Sequence, residues 1–538
     1  MLKVFTIFKK GRQDDPSNYR GISVLSAIPK LYDMILSNRF SLWYKPRPEQ
    51  AGAQPGRSCE EQILCVRLLI DIARKCGYTL YIVFIDYQKA YDRVNRLKLI
   101  EYLDSKGCGN TFLKALQHAM ISSGIIGDKL FTTGAGVKQG GSTSCNSFTS
   151  YIDPTIDAVK TSEPDGWLED IHILLLMDDT VILASSRESM EAKLAKLKAS
   201  VDDIGMLLHP SKCQYLTVNS DDTTPFVLGD AVISKTASYI YLGALISNDK
   251  ISSQVKNHLD GKAPHLRKFT SFLTKNSDCP YNVKFKVWSS ALNAAVLYSC
   301  ETWIANELKP AEKPYLGSLK QMLGVRNTTC GDLVHIETGL PDVKSLIVDR
   351  QVKFLEKLGS QHVDDYVSKI INMAHRVRSP MGRRIQYLNT LQNTPSQSAQ
   401  FMTRVKSVVQ QSDSSRRQGY LYMNPNLEIH PATDSRNPLN IPEQYRIALT
   451  RIRLSSHHLR IETGRWSRIP RENRLCQCRT DIQTEEHVLL RCAISGTLRD
   501  HMNTNAQTLH ELFDHIKMNQ PHVAEYCYLI MNLYRTLP

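Results

Sequence analysis

At 538 residues, with 42% hydrophobic and 22% charged side chains, the chain is too apolar for a disordered polypeptide, and it is long enough for about two to four domains. Its net charge of +14 divides into +9 over residues 1–150, −8 over 151–250 and +13 over 251–538. Basic surfaces attract phosphate backbones and an acidic stretch suits bound cations, although a solvated basic surface gives the same count. The 13 cysteines are odd in number and mostly solitary, which argues against a disulfide framework. MLKVFTIFKKGRQDD at the N-terminus lacks the apolar core of a signal peptide. The longest apolar stretch, 171–184, is split by Asp178 and Asp179 and is unsuited to a bilayer. These features predict an intracellular protein with reduced thiols.

In chain order, TLYIVFID (79–86) reads as a buried strand and is followed by a helical pattern near 95–105. IHILLLMDDTVILAS (171–185) reads as two apolar strands joined at a polar turn. ESMEAKLAKLKASVDDIGM (188–206) combines strong helix formers with apolar residues at helical spacing. Strand-like segments return at CQYLTV (213–218) and YIYLGALI (239–246). The pattern predicts an α+β fold on a mainly antiparallel sheet. From 250 to about 330 it turns helical, as in VKFKVWSSALNAAVLYSCETW (283–303). Residues 376–440 are polar and read as a linker or loosely packed connector. A last compact segment begins near 441.

Three aspartates stand out. Asp86 ends an apolar strand, and Asp178 and Asp179 sit at the turn of an apolar hairpin. Ionised carboxylates are not buried unpaired, so either the turn projects both into water or a carboxylate faces a cation. Phosphoryl transfer needs hard cations held by carboxylates. A carboxylate on one strand end and two on an adjacent hairpin form such a clamp.

Seven segments then resemble, in order and in spacing, the reverse transcriptases of non-LTR (LINE-type) retrotransposons. KKGRQDDPSNYRGISVL (9–25) resembles the fingers segment, in which Lys10 and Arg20 would bind the incoming triphosphate. EQAGAQPGRSCEEQI (49–63) resembles the next fingers block, with Ala53 and Gln54 where the family usually has Phe and Arg. FIDYQKAYDRV (84–94) resembles motif A with Asp86 as a metal ligand; Tyr91 matches the steric gate that collides with a 2′-hydroxyl. GVKQGGSTSCNSF (136–148) resembles motif B, which puts Gln139 and Gly140 beside the nascent base pair. It departs from the usual Gln-Gly-Asp-x-x-Ser-Pro at Gly141, Ser144 and Cys145. LLMDDTVILA (175–184) resembles motif C, where Asp178 and Asp179 complete the metal site and Met177 replaces the more usual Ala or Val. GMLLHPSKCQ (205–214) resembles motif D, with His209 where Asn is common and Lys212 as a candidate proton donor to pyrophosphate. YLGALIS (241–247) resembles the primer grip, formed by Tyr241, Leu242 and Gly243.

The resemblance implies a right-hand polymerase: fingers and palm over 1–250, a helical thumb over 251–335, a connector over 336–440 and a C-terminal helical segment over 441–538. It implies an RNA-directed DNA polymerase with two Mg²⁺ ions, an RNA template, a DNA primer and dNTPs, in a ribonucleoprotein of nucleus and cytoplasm. Cys476, Cys478, His487 and Cys492 make a closed tetrahedral set for one structural Zn²⁺, and they match the family's C-terminal zinc knuckle. Unrelated thiols and an ordinary histidine are the alternative that spacing leaves open. Neither of the family's two nuclease types is found in the sequence, so the reading expects an endonuclease in trans or in a missing N-terminal segment. A degenerate remnant that binds nucleic acid without catalysis is the runner-up, and a template-independent terminal transferase is a third possibility.

Overall fold

The run LYIVFI is apolar at every position because both of its faces are covered. It is the third of twelve strands among the described residues: β1 (Leu2–Phe8), β2 (Tyr19–Val24), β3 (Leu80–Ile85), β4 (Ser123–Ile126), β5 (Lys129–Thr132), β6 (Ile173–Leu176), β7 (Asp179–Ala184), β8 (Gln214–Val218), β9 (Phe226–Leu228), β10 (Ala231–Lys235), β11 (Ser238–Tyr241) and β12 (Ala244–Ser247). The computed structural model describes residues 2–9, 11–121, 123–126, 129–160, 164–229, 231–360, 366–436, 439–502, 506–514 and 518–536.

The chain folds as two units, Met1–Gln254 with Leu355–Tyr387, and Val255–Phe354 with Leu388–Pro538. The first unit is α+β. Its central sheet has the order β6-β7-β3-β8-β10-β9. All neighbours are antiparallel except the β8–β10 pair, so the sheet is mainly antiparallel as expected. One face carries the helices Ser144–Val159 and Arg187–Asp203, whose Phe148, Tyr151, Ile156, Leu194 and Leu197 join Tyr81, Val83 and Ile85 in one core. The helix Cys59–Cys76 packs against β6 and β8. A second sheet, β2-β1-β4-β5, lies outside the elements read from sequence, and β11 and β12 pair as a hairpin.

The helix Tyr366–Arg376 belongs to this unit, although sequence places it beyond the expected thumb. It packs on the helix Cys59–Cys76, and its Tyr366 hydroxyl donates to Glu49 at 3.0 Å. The segment expected as a polar connector is mostly helical, with helices Pro380–Asn389, Gln397–Gln410 and Ser415–Met423 following Tyr366–Arg376. Each buries only one stripe, as Val405 and Val409 show, so its composition stays polar while its periodicity is helical.

The second unit is helical among the described residues, with helices such as Ala263–Lys275, Lys309–Leu323, Glu443–Arg453 and Gln520–Thr536. The run expected as a helix over 283–303 is interrupted: a π segment spans Trp288–Asn293 and a 3₁₀ turn Cys300–Thr302. Two buried charge clusters cross this unit. Arg453 forks onto Glu337 at 3.1 and 3.0 Å, with the Tyr420 hydroxyl donating to the same carboxylate at 2.8 Å. Glu443 receives Lys284 at 2.7 Å and Arg446 at 2.7 Å. Among the described residues none of the 13 cysteines is in a disulfide, and no helix is long and apolar enough to cross a membrane.

Candidate active site and metal cluster

β3 and β7 run antiparallel with Ile85 opposite Thr180, so Asp86, just past β3, lies beside the start of β7. Leu176 pairs with Asp179 across the β6–β7 hairpin, which leaves Met177 and Asp178 as a two-residue turn. Only Met177 of these takes positive φ, at 59°, the pattern of a type II′ turn whose first central position favours glycine. The fold thus brings Asp86, Asp178 and Asp179 together at one end of the strands β3 and β7.

Their electrostatics reflect crowding. Asp178 is half-buried and Asp179 is exposed. Desolvation, opposed by local hydrogen bonding and increased by the charge of Asp86, raises the Asp178 carboxyl. Desolvation and the charges of Asp178 and Asp86 push Asp179 up to about 6, despite its exposed edge. Carboxylates held together at this cost are a donor set suited to hard divalent cations. Lys212, in the 3₁₀ turn Pro210–Lys212, reaches Asp86 at 3.1 Å.

Arg20 stands on β2 opposite Ile7, and its charge acts on both Asp178 and Tyr91. Lys10 lies outside the described residues. Its neighbour Lys9, not singled out from sequence, does act on Asp178; burial and the charges of Arg20 and Lys212 lower its own pKa. The adjacent lysines of KKGR were the available signal. Tyr91 stacks on Phe148 with centroids 4.7 Å apart and planes 7° apart. Burial, the nearby Cys145 thiol and the Asp178 charge raise its hydroxyl pKa.

Gln139 donates to Asp92 at 3.1 Å, and its carbonyl accepts the Ser23 N–H at 2.8 Å. Gly140 takes φ 116°, and a Cβ there would lie 2.5 Å from the Ser23 carbonyl oxygen. The loop is further held by Asp33, whose carboxylate accepts the Ser142 N–H and, at 2.7 Å, the Thr143 hydroxyl. Asp33 carried no sequence signal, since a lone Asp in a helical pattern reads as surface charge.

The 241–247 segment is a hairpin whose turn residues Leu242 and Gly243 take φ 48° and 79°. Tyr241 points inward, 2% exposed, with its ring against Phe84 at 5.8 Å. Tyr239 stacks on the same Phe84 at 4.1 Å and 10°. The hairpin therefore leans on the strand that ends in Asp86.

In the second unit, one ligand atom from each of Cys476, Cys478, His487 and Cys492 lies within 4.8 Å of the others. Zinc–thiolate bonds of about 2.3 Å in a tetrahedron require sulfurs roughly 3.8 Å apart, and Cys476 and Cys492 are 3.7 Å apart. His487 opens a π segment, His487–Arg491, whose wide turn lets the Cys492 N–H bond the His487 carbonyl at 2.8 Å. Five-residue spacing thus puts both side chains on one face. On the other side, Arg479 at φ 62° closes a turn in which the Cys476 N–H bonds the Asp481 carbonyl. Burial pushes the Cys476 thiol up to about 11; burial opposes, but Thr480 and His487 hydrogen bonds outweigh it, holding Cys478 at about 6. The Asp481 carboxylate is 3.9 Å from His487 Nδ1. This donor set fits a tetrahedral metal.

The family model for reverse transcriptase (RNA-dependent DNA polymerase) matches residues 7–246. The chain is 25% identical over 268 residues to the Retrovirus-related Pol polyprotein from type-1 retrotransposable element R2 of Nasonia vitripennis, covering 46% of this chain and 26% of that protein. It is 24% identical over 275 residues to the corresponding type-2 element R2DM protein of Drosophila melanogaster, covering 47% and 26%. This chain therefore matches about a quarter of the length of these curated relatives. Among solved structures, telomerase from Candida albicans, in a complex with a telomeric RNA fragment, aligns at 10% identity over 76% of this chain and 64% of that one. Its TM-score of 0.35 is too low to carry weight. The match over 7–246, a range that contains Asp86, Asp178 and Asp179, identifies that segment as a reverse transcriptase domain of the non-LTR retrotransposon type.

Proposed function

We propose that the chain is an RNA-directed DNA polymerase that extends a primer 3′-OH with dNTPs on an RNA template. The observation that carries this is the convergence of Asp86, Asp178 and Asp179 at one end of the neighbouring strands β3 and β7, with two of the carboxyls pushed up by burial and by the charges of their neighbours. Two Mg²⁺ ions held there would supply activation of the attacking hydroxyl and neutralisation of the triphosphate. Arg20, with Lys9 and Lys10, binds the triphosphate. Tyr91, stiffened by Phe148, packs under the sugar and excludes a 2′-hydroxyl. Gln139 and Gly140 line the nascent pair, and the turn Leu242–Gly243, backed by Tyr241, holds the primer. Lys212 holds a proton beside Asp86 for the leaving pyrophosphate.

In this reading residues 1–250 act as fingers and palm and 251–335 as a helical thumb. Residues 336–440 connect to the C-terminal segment, 441–538, where one structural Zn²⁺ fixes the Cys476, Cys478, His487 and Cys492 turn near Arg460, Arg465 and Arg468. The protein works inside the cell, in nucleus and cytoplasm, and takes its primer end from an endonuclease in trans or elsewhere in a longer polypeptide.

The test is extension of a DNA primer on an RNA template with Mg²⁺ and dNTPs, beside a no-template control. Template-dependent DNA synthesis supports the proposal. Primer–template binding without extension favours the binding-only alternative, and extension without template favours a terminal transferase.

A further inference from the structure

The segment 49–52 is laid against the hairpin that carries Asp178 and Asp179. The Leu175 N–H donates to the Glu49 carbonyl and the Ala51 N–H to the Leu175 carbonyl, both at 2.8 Å, so Gln50 bridges Leu175 as a short parallel addition to β6. Gln50 is fully buried, an expensive place for a carboxamide unless its hydrogen bonds are met. They are met almost entirely by the turn. Gln50 Oε1 accepts the Met177 N–H at 2.8 Å and the Gly52 N–H at 2.8 Å, while Gln50 Nε2 donates to the Met177 carbonyl at 3.2 Å. The side chain thus pairs with both polar groups of one residue, as a neighbouring strand would.

That residue needs holding. Met177 is a non-glycine residue at φ 59°, a conformation that persists only where its surroundings over-determine it. Gly52 completes the clamp: a Cβ there would lie 2.7 Å from the Met177 nitrogen and 2.3 Å from its sulfur. The segment is itself anchored, since the Glu49 carboxylate accepts Lys160 at 2.6 Å and the Tyr366 hydroxyl at 3.0 Å. An apolar residue at position 50 would fill the space without fixing the Met177 peptide.

We propose that Gln50 is a positioning residue for the polymerase site: its carboxamide locks the Met177 peptide and thereby sets where Asp178 and Asp179 present their carboxylates. It touches neither substrate nor metal. The inference rests on the metal-binding role proposed for the two aspartates, and its test separates the two claims.

Gln50→Met keeps the length and removes all three bonds. Gln50→Glu keeps an acceptor for the Met177 and Gly52 N–H groups and loses the donated bond. Three readouts apply to the full chain: primer extension against dNTP and Mg²⁺ concentration, primer–template affinity, and hydrogen exchange of the peptide covering 174–180. For Gln50→Met the expectation is a kcat lowered about 10- to 100-fold, with the dNTP KM and primer–template Kd within about twofold. The Mg²⁺ concentration for half-activity rises, and exchange at the Met177 amide becomes at least about tenfold faster. Gln50→Glu falls between wild type and Gln50→Met in Met177 protection. Unchanged kcat and unchanged Met177 exchange in Gln50→Met overturn the proposal, as does a loss confined to KM or template binding. Should Gln50→Met fail to fold, Met177 exchange in Gln50→Glu decides by the same criterion. A wild type that extends no primer refutes the proposed polymerase function instead. In that case Mn²⁺ binding, followed by its paramagnetic resonance, and Met177 exchange still decide Gln50: both weaken in Gln50→Met if it positions the turn, and neither changes if it does not.

Discussion

Removing one of the crowded carboxylates should stabilise the metal-free protein. Burial and the charges of Asp178 and Asp86 move the Asp179 carboxyl from 3.8 to about 6, so ionisation is harder in the folded chain than in the unfolded one. Below roughly pH 3 the group is protonated in both states and costs nothing. As pH rises past 3.8 the penalty grows, and above about 6 it is complete. A displacement of that size corresponds to roughly 3 kcal/mol. Asp179 is exposed, so solvent screening reduces the figure to about 1–1.5 kcal/mol. At roughly 2–4 °C per kcal/mol for a unit of this size, Asp179→Asn should melt about 2–6 °C above wild type at pH 8 in a chelator. The assay is calorimetry from pH 4 to pH 8, with and without Mg²⁺. The gap should close towards pH 4, and Mg²⁺ should raise the wild type while barely moving the variant. Equal melting at pH 8 in chelator, or a gap that persists at pH 4, would refute the electrostatic reasoning.

Other outcomes follow from the same geometry. Gly140→Ala puts a Cβ 2.5 Å from the Ser23 carbonyl oxygen at φ 116°; it should cost about 1–3 kcal/mol and abolish primer extension while Mn²⁺ binding at the aspartates, read by paramagnetic resonance, persists. In the helical unit, Arg453→Met strands the buried Glu337 carboxylate and should lower stability by about 3–5 kcal/mol in urea unfolding. Adding Glu337→Leu should recover most of that loss; a double variant no better than the single one contradicts the pairing. Purified protein should carry one zinc per chain by plasma mass spectrometry, and Cys492→Ser should carry none. Zinc-free protein that melts like the native form would count against the metal cluster.

Much of the palm was legible because its strands are continuous apolar runs ended by sharp punctuation. β3, β6, β7 and β8 lie within one or two residues of where the pattern put them, and the helix Arg187–Asp203 starts one residue early and ends three residues short of its expected end. The zinc-type spacing was legible too, since His487 and Cys492 are one π turn apart. What stayed hidden depends on pairings between residues distant in sequence. The helix Tyr366–Arg376 has apolar positions at helical spacing, but nothing in its sequence says that Tyr366 reaches Glu49, which precedes it by 317 residues. Gln50 in a loop reads as an ordinary polar residue, and only the backbone of Met177 gives it meaning. Tyr241 matched the primer-grip motif, yet it is buried against Phe84, and it is Gly243 of the turn beyond it that is exposed. Motif matching locates the segment; packing decides which of its side chains is presented.

One metal-dependent centre for template-directed DNA synthesis requires all three aspartates together. The most direct test is steady-state extension of a DNA primer on an RNA template, comparing wild type with Asp178→Asn at equal primer–template occupancy. Mg²⁺-dependent, template-dependent incorporation of dNTPs is expected of the wild type, with a loss of at least about 10³-fold in Asp178→Asn and primer–template affinity unchanged. Extension that survives Asp178→Asn, or a folded wild type that binds primer–template and adds no nucleotide, would contradict it.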